Sequence, residues 1–125
     1  GAGRRARQSG EALGLVADEW GNPTSAADLA EAIALLVAER EPGPPRIHHL
    51  VNLGVASRAD LGREVLRLAR LDVPVVEVPA ATWPRASTPP RWGVLEPTPL
   101  PSGELLRPWP EALADYAPVL VRAGR

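Results

Sequence analysis

Several residue types that particular functions require are missing from this sequence. It contains no cysteine, methionine or phenylalanine, and all fourteen of its basic residues are arginines. Without cysteine the chain can form no disulfide and no thiolate metal site, and the composition fits a reducing compartment, so we expect a cytoplasmic protein. Without lysine, no catalytic step can depend on a lysine of this chain.

Long apolar runs and a strong net charge are missing as well. No stretch approaches the roughly 20 consecutive apolar residues of a membrane-spanning helix, and no signal-peptide pattern opens the chain. The formal net charge is −1 over 125 residues, which gives no electrostatic footprint for nucleic acid or an acidic membrane. We therefore expect one domain whose partners include neither a nucleic acid nor a membrane. Because no initiator methionine is present, we expect the chain to be part of a longer protein.

The first part of the chain has the pattern of a strand followed by a helix. Residues 13–17 form a short apolar run that predicts a buried strand. After a loop, Thr24 and Ser25 are both suitable N-caps, and Asp28 falls in the first turn, where the helix dipole favours an acid. The helix is predicted to reach about Glu39, before a Pro-Gly-Pro-Pro sequence that cannot continue it. Its predicted core-facing stripe consists of Leu29, Ile33, Leu36 and Val37.

The next part repeats the alternation of strand and helix. Residues 47–51 are a strand candidate. Ser57 is expected to cap a helix that ends near Leu71, with Asp60 at its third position. Residues 75–78 are mostly β-branched and lie between prolines, which predicts an edge strand.

Proline dominates the last third of the chain. Nine prolines and three of the four tryptophans fall within residues 79–110, which predicts an ordered but irregular wrap with a brief extended piece at residues 94–95. A final helix is predicted from Pro110, with Pro118 kinking or ending it. Its predicted inward side chains are Leu113, Tyr116 and Ala117.

Strands that alternate with helices predict an α/β fold. Residues 1–12 are expected to be a polar lead-in or the end of a helix. Residues 13–125 are expected to form one lobe of a larger protein, because the third strand is short and the wrap is long for a self-contained domain. The expected architecture is a few short strands with flanking helices and the proline-rich irregular wrap.

The titratable side chains are weak candidates for catalysis or metal binding. His48 and His49 would leave a strand on opposite faces, so they cannot chelate one metal together, and no metal is expected. Asp18 and Glu19 also diverge on an extended chain. We favour Asp18 as a residue that accepts hydrogen bonds from backbone amides over an acid–base role. No glycine pattern after a strand offers a phosphate loop for a nucleotide cofactor.

Two side chains are stronger candidates for contact with a ligand. The ring of Trp20 can stack on a base or a sugar while its indole N–H stays free to donate, or it can fill the core beneath the loop. Arg91 lies on a proline-rich loop between aromatic residues. It suits bidentate contact with a phosphate, or it is a solvated surface arginine.

The segment of residues 16–33, VADEWGNPTSAADLAEAI, resembles the signature of the dTDP-4-dehydrorhamnose reductase family. That signature runs valine, aspartate, an optional second aspartate, glutamine, aromatic, glycine, any residue, proline and threonine, and then aspartate, leucine and alanine. The family belongs to the extended short-chain dehydrogenase/reductase superfamily. Later stretches resemble the family in order and spacing, so that the likeness covers about residues 13–117. They are His49-Leu50 followed by Ala56-Ser57, residues 90–96 and residues 108–113.

The resemblance implies that the chain is the C-terminal, sugar-nucleotide-binding part of an NADPH-dependent reductase. Trp20, Pro23, Thr24 and Arg91 would contact a dTDP-sugar or a related sugar nucleotide. In the family, an N-terminal Rossmann half binds NADPH, and a tyrosine and a lysine separated by three residues serve the reduction of the 4-keto sugar. Both would lie upstream of Gly1, so the chain alone is expected to bind no cofactor and to hold no catalytic residue. Faces that meet that half would be apolar when uncovered, which leaves a homo-oligomer open.

Three positions depart from the family pattern. Glu19 replaces a glutamine and adds a negative charge near a diphosphate site, Pro89 replaces an arginine, and Gly93 replaces a serine. These departures leave a second function open, that of a non-catalytic reductase-like interaction or regulatory module. The reductase-like regulatory subunit of methionine adenosyltransferase is an example of such a module.

Overall fold

A computed structural model describes residues 11–40 and 42–123. The predicted lead-in therefore lies, for residues 1–10, outside the described residues. From residue 11 onward the chain alternates short strands with helices, as the sequence predicts. Its order is β1 (Leu13–Val16), β2 (Trp20–Gly21), α1 (Ala26–Glu39), β3 (Ala56–Ser57), α2 (Arg58–Leu68), β4 (Val75–Val78) and α3 (Trp109–Ala123), with one 3₁₀ turn at Ala80–Thr82.

The two longer strands pair in parallel. Leu13 lies opposite Val75 and Val16 lies opposite Val78, which confirms the strands predicted at residues 13–17 and 75–78. Parallel strands need a long crossover between them, and here the crossover contains α1, β3 and α2. Beyond the strands, the amide of Ala17 donates to the carbonyl oxygen of Val78 at 3.0 Å, so the pairing reaches the start of the next loop.

A second, much smaller sheet is built on that loop. β2 pairs antiparallel with β3, Trp20 lying opposite Ser57. On its other side Trp20 forms an isolated parallel bridge with Trp92. Residues 94–95, where a brief extended piece is predicted, belong to no strand; the pairing lies at Trp92.

α2 has the cap that its sequence predicts. The amide of Asp60 donates to Ser57 Oγ at 3.1 Å, and the amide of Ser57 donates to Asp60 Oδ2 at 2.9 Å, a reciprocal capping box. The helix ends at Leu68, a little before the predicted Leu71, because Arg70 adopts a φ of 55° that no α-helix continues. Gly62 allows the helix to approach β1 closely, since a Cβ there would lie 2.4 Å from Leu15 Cδ1.

α1 begins and ends as predicted, but its predicted core-facing stripe is wrong. Ile33 is 48% exposed and Val37 is 61% exposed, whereas Ala32 is buried. Asp28, in its first turn, is ion-paired with Arg107. Positions 28, 32 and 36 lie near the segment around Leu100.

The strand predicted at residues 47–51 is not present. The segment holds only one pair of hydrogen bonds with its neighbour, between His49 and Thr98. Thr98 lies between Pro97 and Pro99, which have no amide hydrogen to extend a ladder. His48 is exposed and His49 is half-buried, which fits the expectation that one faces solvent even though the strand behind that expectation is absent.

α3 packs against α2. It starts at Trp109 and extends to Ala123 with Pro118 inside it, so the helix does not end at that proline, and the predicted kink stays a prediction. Ala117 is buried, as predicted, but Tyr116 is exposed, so the inward face was predicted too wide. The buried apolar residues are Val16, Ala32, Val51, Ala56, Ala59, Leu66, Val73, Leu100, Ala112 and Ala117.

Candidate functional site

The loop that follows β1 begins with two acids that face different partners. Asp18 Oδ1 accepts a hydrogen bond from the amide of Ala80 at 2.8 Å. It does accept from a backbone amide, as predicted, but from one 62 residues away rather than from its own turn. Glu19 Oε1 is ion-paired with Arg85 at 2.7 Å. Both contacts join the loop to the proline-rich segment, residues 79–110. The two carboxylates diverge, so they form no acid–base pair.

Trp20 and Arg91, two of the predicted site residues, are joined through the backbone. The amide of Trp20 donates to the carbonyl oxygen of Arg91 at 2.8 Å, and the amide of Gly93 donates to the carbonyl oxygen of Trp20 at 2.9 Å. The rings of Trp20 and Trp92 have centroids 6.2 Å apart and planes inclined by 46°. We call these two rings the tryptophan pair. Sequence analysis missed Trp92, although its place beside Arg91 on a proline-rich loop was a usable signal.

The tryptophan pair lies at the surface. Trp20 is 37% exposed and Trp92 is 63% exposed, so Trp20 is not a plug beneath the loop. Arg91 is also exposed, and within the described residues its side chain takes part in none of the ion pairs. A cationic group and two aromatic side chains are therefore exposed where these two segments of the chain meet.

Asn22 fastens the same loop on two sides. Its Oδ1 accepts from the amide of Leu95 at 2.7 Å, and its Nδ2 donates to the carbonyl oxygen of Gly54 at 3.2 Å. Sequence analysis did not single out this residue, although an asparagine before a proline is a common loop-former. Asn22 holds the proline-rich segment beside the tryptophan pair.

Pro23 and Thr24, the other two predicted site residues, lie at a different place. They line an apolar cavity of about 390 Å³. Neither Trp20 nor Arg91 lines it, so the structure separates the four predicted residues into two pairs. The lining is completed by Ser25, Ala26, Ala27, Asn52, Leu61, Trp109, Ala112, Leu113 and Tyr116.

The polar groups of Thr24 are already used within the fold. Thr24 Oγ1 donates to the carbonyl oxygen of Asn22 at 2.8 Å and accepts from the amide of Asn52 at 3.3 Å. A ligand in the cavity would therefore meet the methyl group of Thr24 and the ring of Pro23 rather than a free hydroxyl.

Asn52 is the buried centre of a polar network beneath this cavity. It is 0% exposed, and its Oδ1 accepts from the amide of Ser25 at 2.7 Å. Its Nδ2 donates to Asp28 Oδ2 at 2.8 Å and to the carbonyl oxygen of Arg107 at 3.0 Å. One amide side chain thus joins the start of α1 to the segment that leads into α3.

Arg107 completes the network through its charge. It contacts both carboxylate oxygens of Asp28, at 2.9 and 3.1 Å, and it also bonds to Asp115 on α3. The hydrogen bond from Arg107 lowers the pKa of the Asp28 carboxyl, assisted by the one from Asn52 and opposed by burial. The same two carboxylates raise the pKa of Arg107. Asp28 lies in the first turn of α1, as predicted, but Arg107, 79 residues away, could not be identified as its partner from the sequence.

Neither a metal-binding cluster nor a membrane-spanning helix is found in the part of the chain that the structure describes. No group of three or more histidine and acidic side chains there is placed to hold a metal ion. None of the helices within those residues combines the length and the apolar character of a bilayer-crossing segment.

A parallel strand pair joined through helices, with a fastened loop at its carboxyl end, defines an α/β protein of the Rossmann-like class. The chain belongs to the family described as the RmlD substrate binding domain, whose model matches residues 3–121. This confirms the predicted family, its C-terminal part and the α/β fold class.

The relatives agree with that assignment. The chain is 36% identical over 117 residues to a probable dTDP-4,6-dihydroxy-2-methyloxan-3-one 4-ketoreductase of Streptomyces antibioticus, covering 91% of this chain and 39% of the relative. It is 35% identical over 117 residues to the dTDP-4-dehydrorhamnose reductase of Streptomyces griseus, covering 89% of this chain and 38% of the relative. The chain thus spans about two fifths of the length of these relatives.

Solved structures show the same fold. The dTDP-4-dehydrorhamnose reductase of Clostridium acetobutylicum superposes with a TM-score of 0.82 at 29% identity, covering 94% of this chain and 42% of that one. The reductase of Bacillus anthracis, solved in complex with NADP, gives a TM-score of 0.77 at 27% identity, covering 91% of this chain and 40% of that one.

Proposed function

We propose that this chain is the substrate-binding part of an NADPH-dependent sugar-nucleotide reductase, which reduces the 4-keto group of a dTDP-sugar. Membership of the RmlD substrate binding domain family carries the proposal. The names of two relatives, a dTDP-4-dehydrorhamnose reductase and a probable 4-ketoreductase, support the substrate class.

The four predicted residues have separate roles in this proposal. Trp20 and Arg91 contact the nucleotide and its diphosphate, since both are exposed, Trp20 on the loop beyond β1 and Arg91 on the segment that is hydrogen-bonded to it. In open α/β sheets that edge is where ligands bind. Pro23 and Thr24 contribute apolar surface from the neighbouring cavity.

The cofactor belongs to the remainder of the protein. In the described residues α1 and α2 begin at serine-capped turns, where Ser25 Oγ and Ser57 Oγ already accept from helix amides. A dinucleotide phosphate needs such amides free, so these residues do not fit an NADPH site. We propose that NADPH, or NADH, binds an N-terminal Rossmann half and that this chain supplies no catalytic residue. Its one tyrosine, Tyr116, lies exposed on α3 without any lysine in the sequence.

Glu19 is less of an obstacle to this function than the sequence suggests. Its negative charge lies next to the proposed diphosphate site, but Arg85 pairs with it at 2.7 Å. The pair is formally neutral, so it does not repel a phosphate as a free carboxylate would. Pro89 and Gly93 remain as departures that favour the second candidate, a non-catalytic interaction module.

The test is turnover by the full-length protein that contains this chain. We expect oxidation of NADPH that depends on a dTDP-4-dehydro sugar. Replacing Arg91 by alanine should raise KM on the order of tenfold, because one charge-assisted contact is worth roughly 1.5–3 kcal/mol. Arg40→Ala, at an exposed arginine beyond the end of α1, is the matched control and should leave KM unchanged. A folded protein without turnover would contradict the reductase and leave the interaction module.

Self-association is a separate proposal. Ile33 and Val37 on α1 are exposed apolar residues, and such faces favour association when nothing else covers them. Analytical ultracentrifugation of the full-length protein should detect a homo-oligomer. A strictly monomeric sedimentation profile would contradict it.

A further inference from the structure

We propose that the tryptophan pair is a stacking surface for the nucleotide base, and that Trp92 sets the affinity for that base. This inference rests on the proposed function, because it assumes that the ligand is a nucleotide. It adds Trp92, a residue that is not among the four predicted site residues. It also separates the base contact of Trp92 from the phosphate contact of Arg91.

Both side chains of the tryptophan pair are exposed to solvent. Trp92 leaves 63% of its surface to solvent and Trp20 leaves 37%. A large aromatic side chain gains most of its stabilisation by burial, so two neighbouring tryptophans at a surface indicate a face that another molecule covers. The described residues supply no other ring to cover them, since this is the one aromatic pair found among them.

The two rings lie close together but are not parallel. Their centroids are 6.2 Å apart and their planes are inclined by 46°. A flat ring needs about 3.5 Å of clearance on each side, and the two planes are not parallel, so the pair cannot clamp a base between them. The outer face of Trp92, the more exposed of the two, remains for a base to stack on, while Trp20 supports it from behind.

The backbone around Trp92 is held by hydrogen bonds and prolines. Trp20 exchanges backbone hydrogen bonds with Arg91 and Gly93, at 2.8 and 2.9 Å, so the backbone on both sides of Trp92 is fixed. Pro89 and Pro90 restrict the approach to it. Less conformational freedom is then lost when a ligand stacks on the ring.

A positively charged side chain lies next to Trp92 in the sequence. Arg91 precedes Trp92 directly, and consecutive Cα atoms lie about 3.8 Å apart. A flat base on Trp92 and a phosphate on Arg91 are therefore within the span of one nucleotide. Glu19, the acid next to Trp20 in the chain, is already paired with Arg85. An aromatic face beside a cation, with the neighbouring acid neutralised, selects a flat anionic ligand over a neutral sugar.

The test is calorimetric titration of the full-length protein with three probes. These are dTDP, thymidine as the base without phosphate, and inorganic pyrophosphate as the phosphates without a base. Trp92→Asn should weaken dTDP and thymidine on the order of tenfold, because base–aromatic stacking is worth roughly 1–3 kcal/mol per base. Pyrophosphate binding should not change. Trp92→Phe should keep affinity within about threefold, since a smaller ring still stacks.

Two control variants separate stacking from other effects. Arg91→Ala should weaken pyrophosphate and dTDP but leave thymidine unchanged. Trp83→Asn removes a tryptophan that is also exposed, at 57%, and should leave all three affinities unchanged. Thermal unfolding of each variant should match the wild-type protein.

The outcomes separate this inference from the proposed function. If Trp92→Asn binds dTDP and thymidine like the wild-type protein, the stacking role is overturned while reductase activity can persist. If Trp92→Asn changes the thermal transition but no affinity, Trp92 packs against another part of the protein and the inference is again overturned. If the wild-type protein binds none of the three probes, the inference and the proposed function fail together. Tight dTDP binding without NADPH oxidation would leave the stacking surface standing and overturn only the reductase.

Discussion

Replacement of Asn52 by alanine should destabilise the protein more than any other loss of a single polar side chain on the loop or beneath it. The side chain is fully buried and makes three hydrogen bonds, to Ser25, Asp28 and Arg107. Two of these bonds join neutral groups, worth about 1 kcal/mol each, and the third reaches a charged carboxylate, worth about 1.5–3 kcal/mol. Because Asp28 keeps its contact with Arg107, the full sum is not lost, and we expect a decrease of about 3 kcal/mol in the free energy of unfolding.

Urea unfolding followed by circular dichroism measures this loss. The midpoint should fall while the slope with denaturant stays constant, because the surface exposed on unfolding does not change. For a domain of this size, about 3 kcal/mol corresponds to a decrease of roughly 10 °C in Tm. Asn22→Ala is the matched control. It removes two bonds from a less buried asparagine and should cost about 1 kcal/mol.

A second substitution at the same position tests the charge in the network. Asn52→Asp keeps an acceptor for the amide of Ser25 but places a carboxylate where Nδ2 now lies 2.8 Å from Asp28 Oδ2. This variant should be less stable than Asn52→Ala at neutral pH and should recover stability in acid, where one of the two carboxyls is protonated. The account of the network is refuted if Asn52→Ala lies within about 1 kcal/mol of the wild-type protein, or is no worse than Asn22→Ala.

Three further predictions concern acid, backbone strain and a surface ion pair. Arg107 lowers the pKa of Asp28 in the folded protein below the ordinary 3.8. The ionised carboxylate of Asp28 therefore stabilises the protein fully above pH 3.8, and this stabilisation is lost as the pH falls through the folded-state pKa. The urea midpoints of the wild-type protein and Asp28→Asn should converge in acid, and a difference that stays constant with pH would contradict this. Gly54→Ala should lower the free energy of unfolding by roughly 2–3 kcal/mol, since φ is 100° there and the new Cβ would lie 2.9 Å from Trp109 Cδ1; a thermal melt like that of the wild-type protein would refute the clash. Glu19→Gln should cost less than about 1 kcal/mol, because the side chain of Arg85 is 39% exposed and glutamine can still accept its hydrogen bond; a larger loss in the same melt would show that the pair is structural.

Local patterns in the sequence predicted the elements whose contacts are themselves local. The capping box of Ser57 and Asp60 spans three residues, and helix propensity and N-caps act over similar distances. The bounds of α1 and the presence of β1 and β4 follow from such signals. Family resemblance, carried by residues 16–33, then gave the fold class that the family match confirms.

Predictions that depended on distant partners were the ones that went wrong. The apolar pattern of α1 favoured Ile33 and Val37 as core residues, but both are exposed. The helix contacts Arg107 through Asp28, a partner 79 residues away. The segment at residues 47–51 has strand composition, but its neighbour is interrupted by prolines. Neither fact can be found by examining one window of sequence.

The candidate site shows the same division. Trp20 and Arg91 were predicted separately, and the structure shows that their backbones are bonded. Trp92 and Asn22 were missed because their importance comes from a bridge and a hydrogen bond that each span about 70 residues. Whether the four predicted residues contact a sugar nucleotide stays a prediction, and of the four the titrations above test Arg91.

The parallel pairing of β1 with β4 has a consequence for how the protein is made. Every residue of β1 pairs with a residue 62 positions later in the chain. At a synthesis rate of roughly 5–20 residues per second, β1 leaves the ribosome about 3–12 s before its partner does. During that interval an apolar strand has no native neighbour on this side, and closing so long a loop is slow. The period before residue 78 emerges is therefore when the nascent chain most needs a chaperone, and slower translation of α2 would lengthen it.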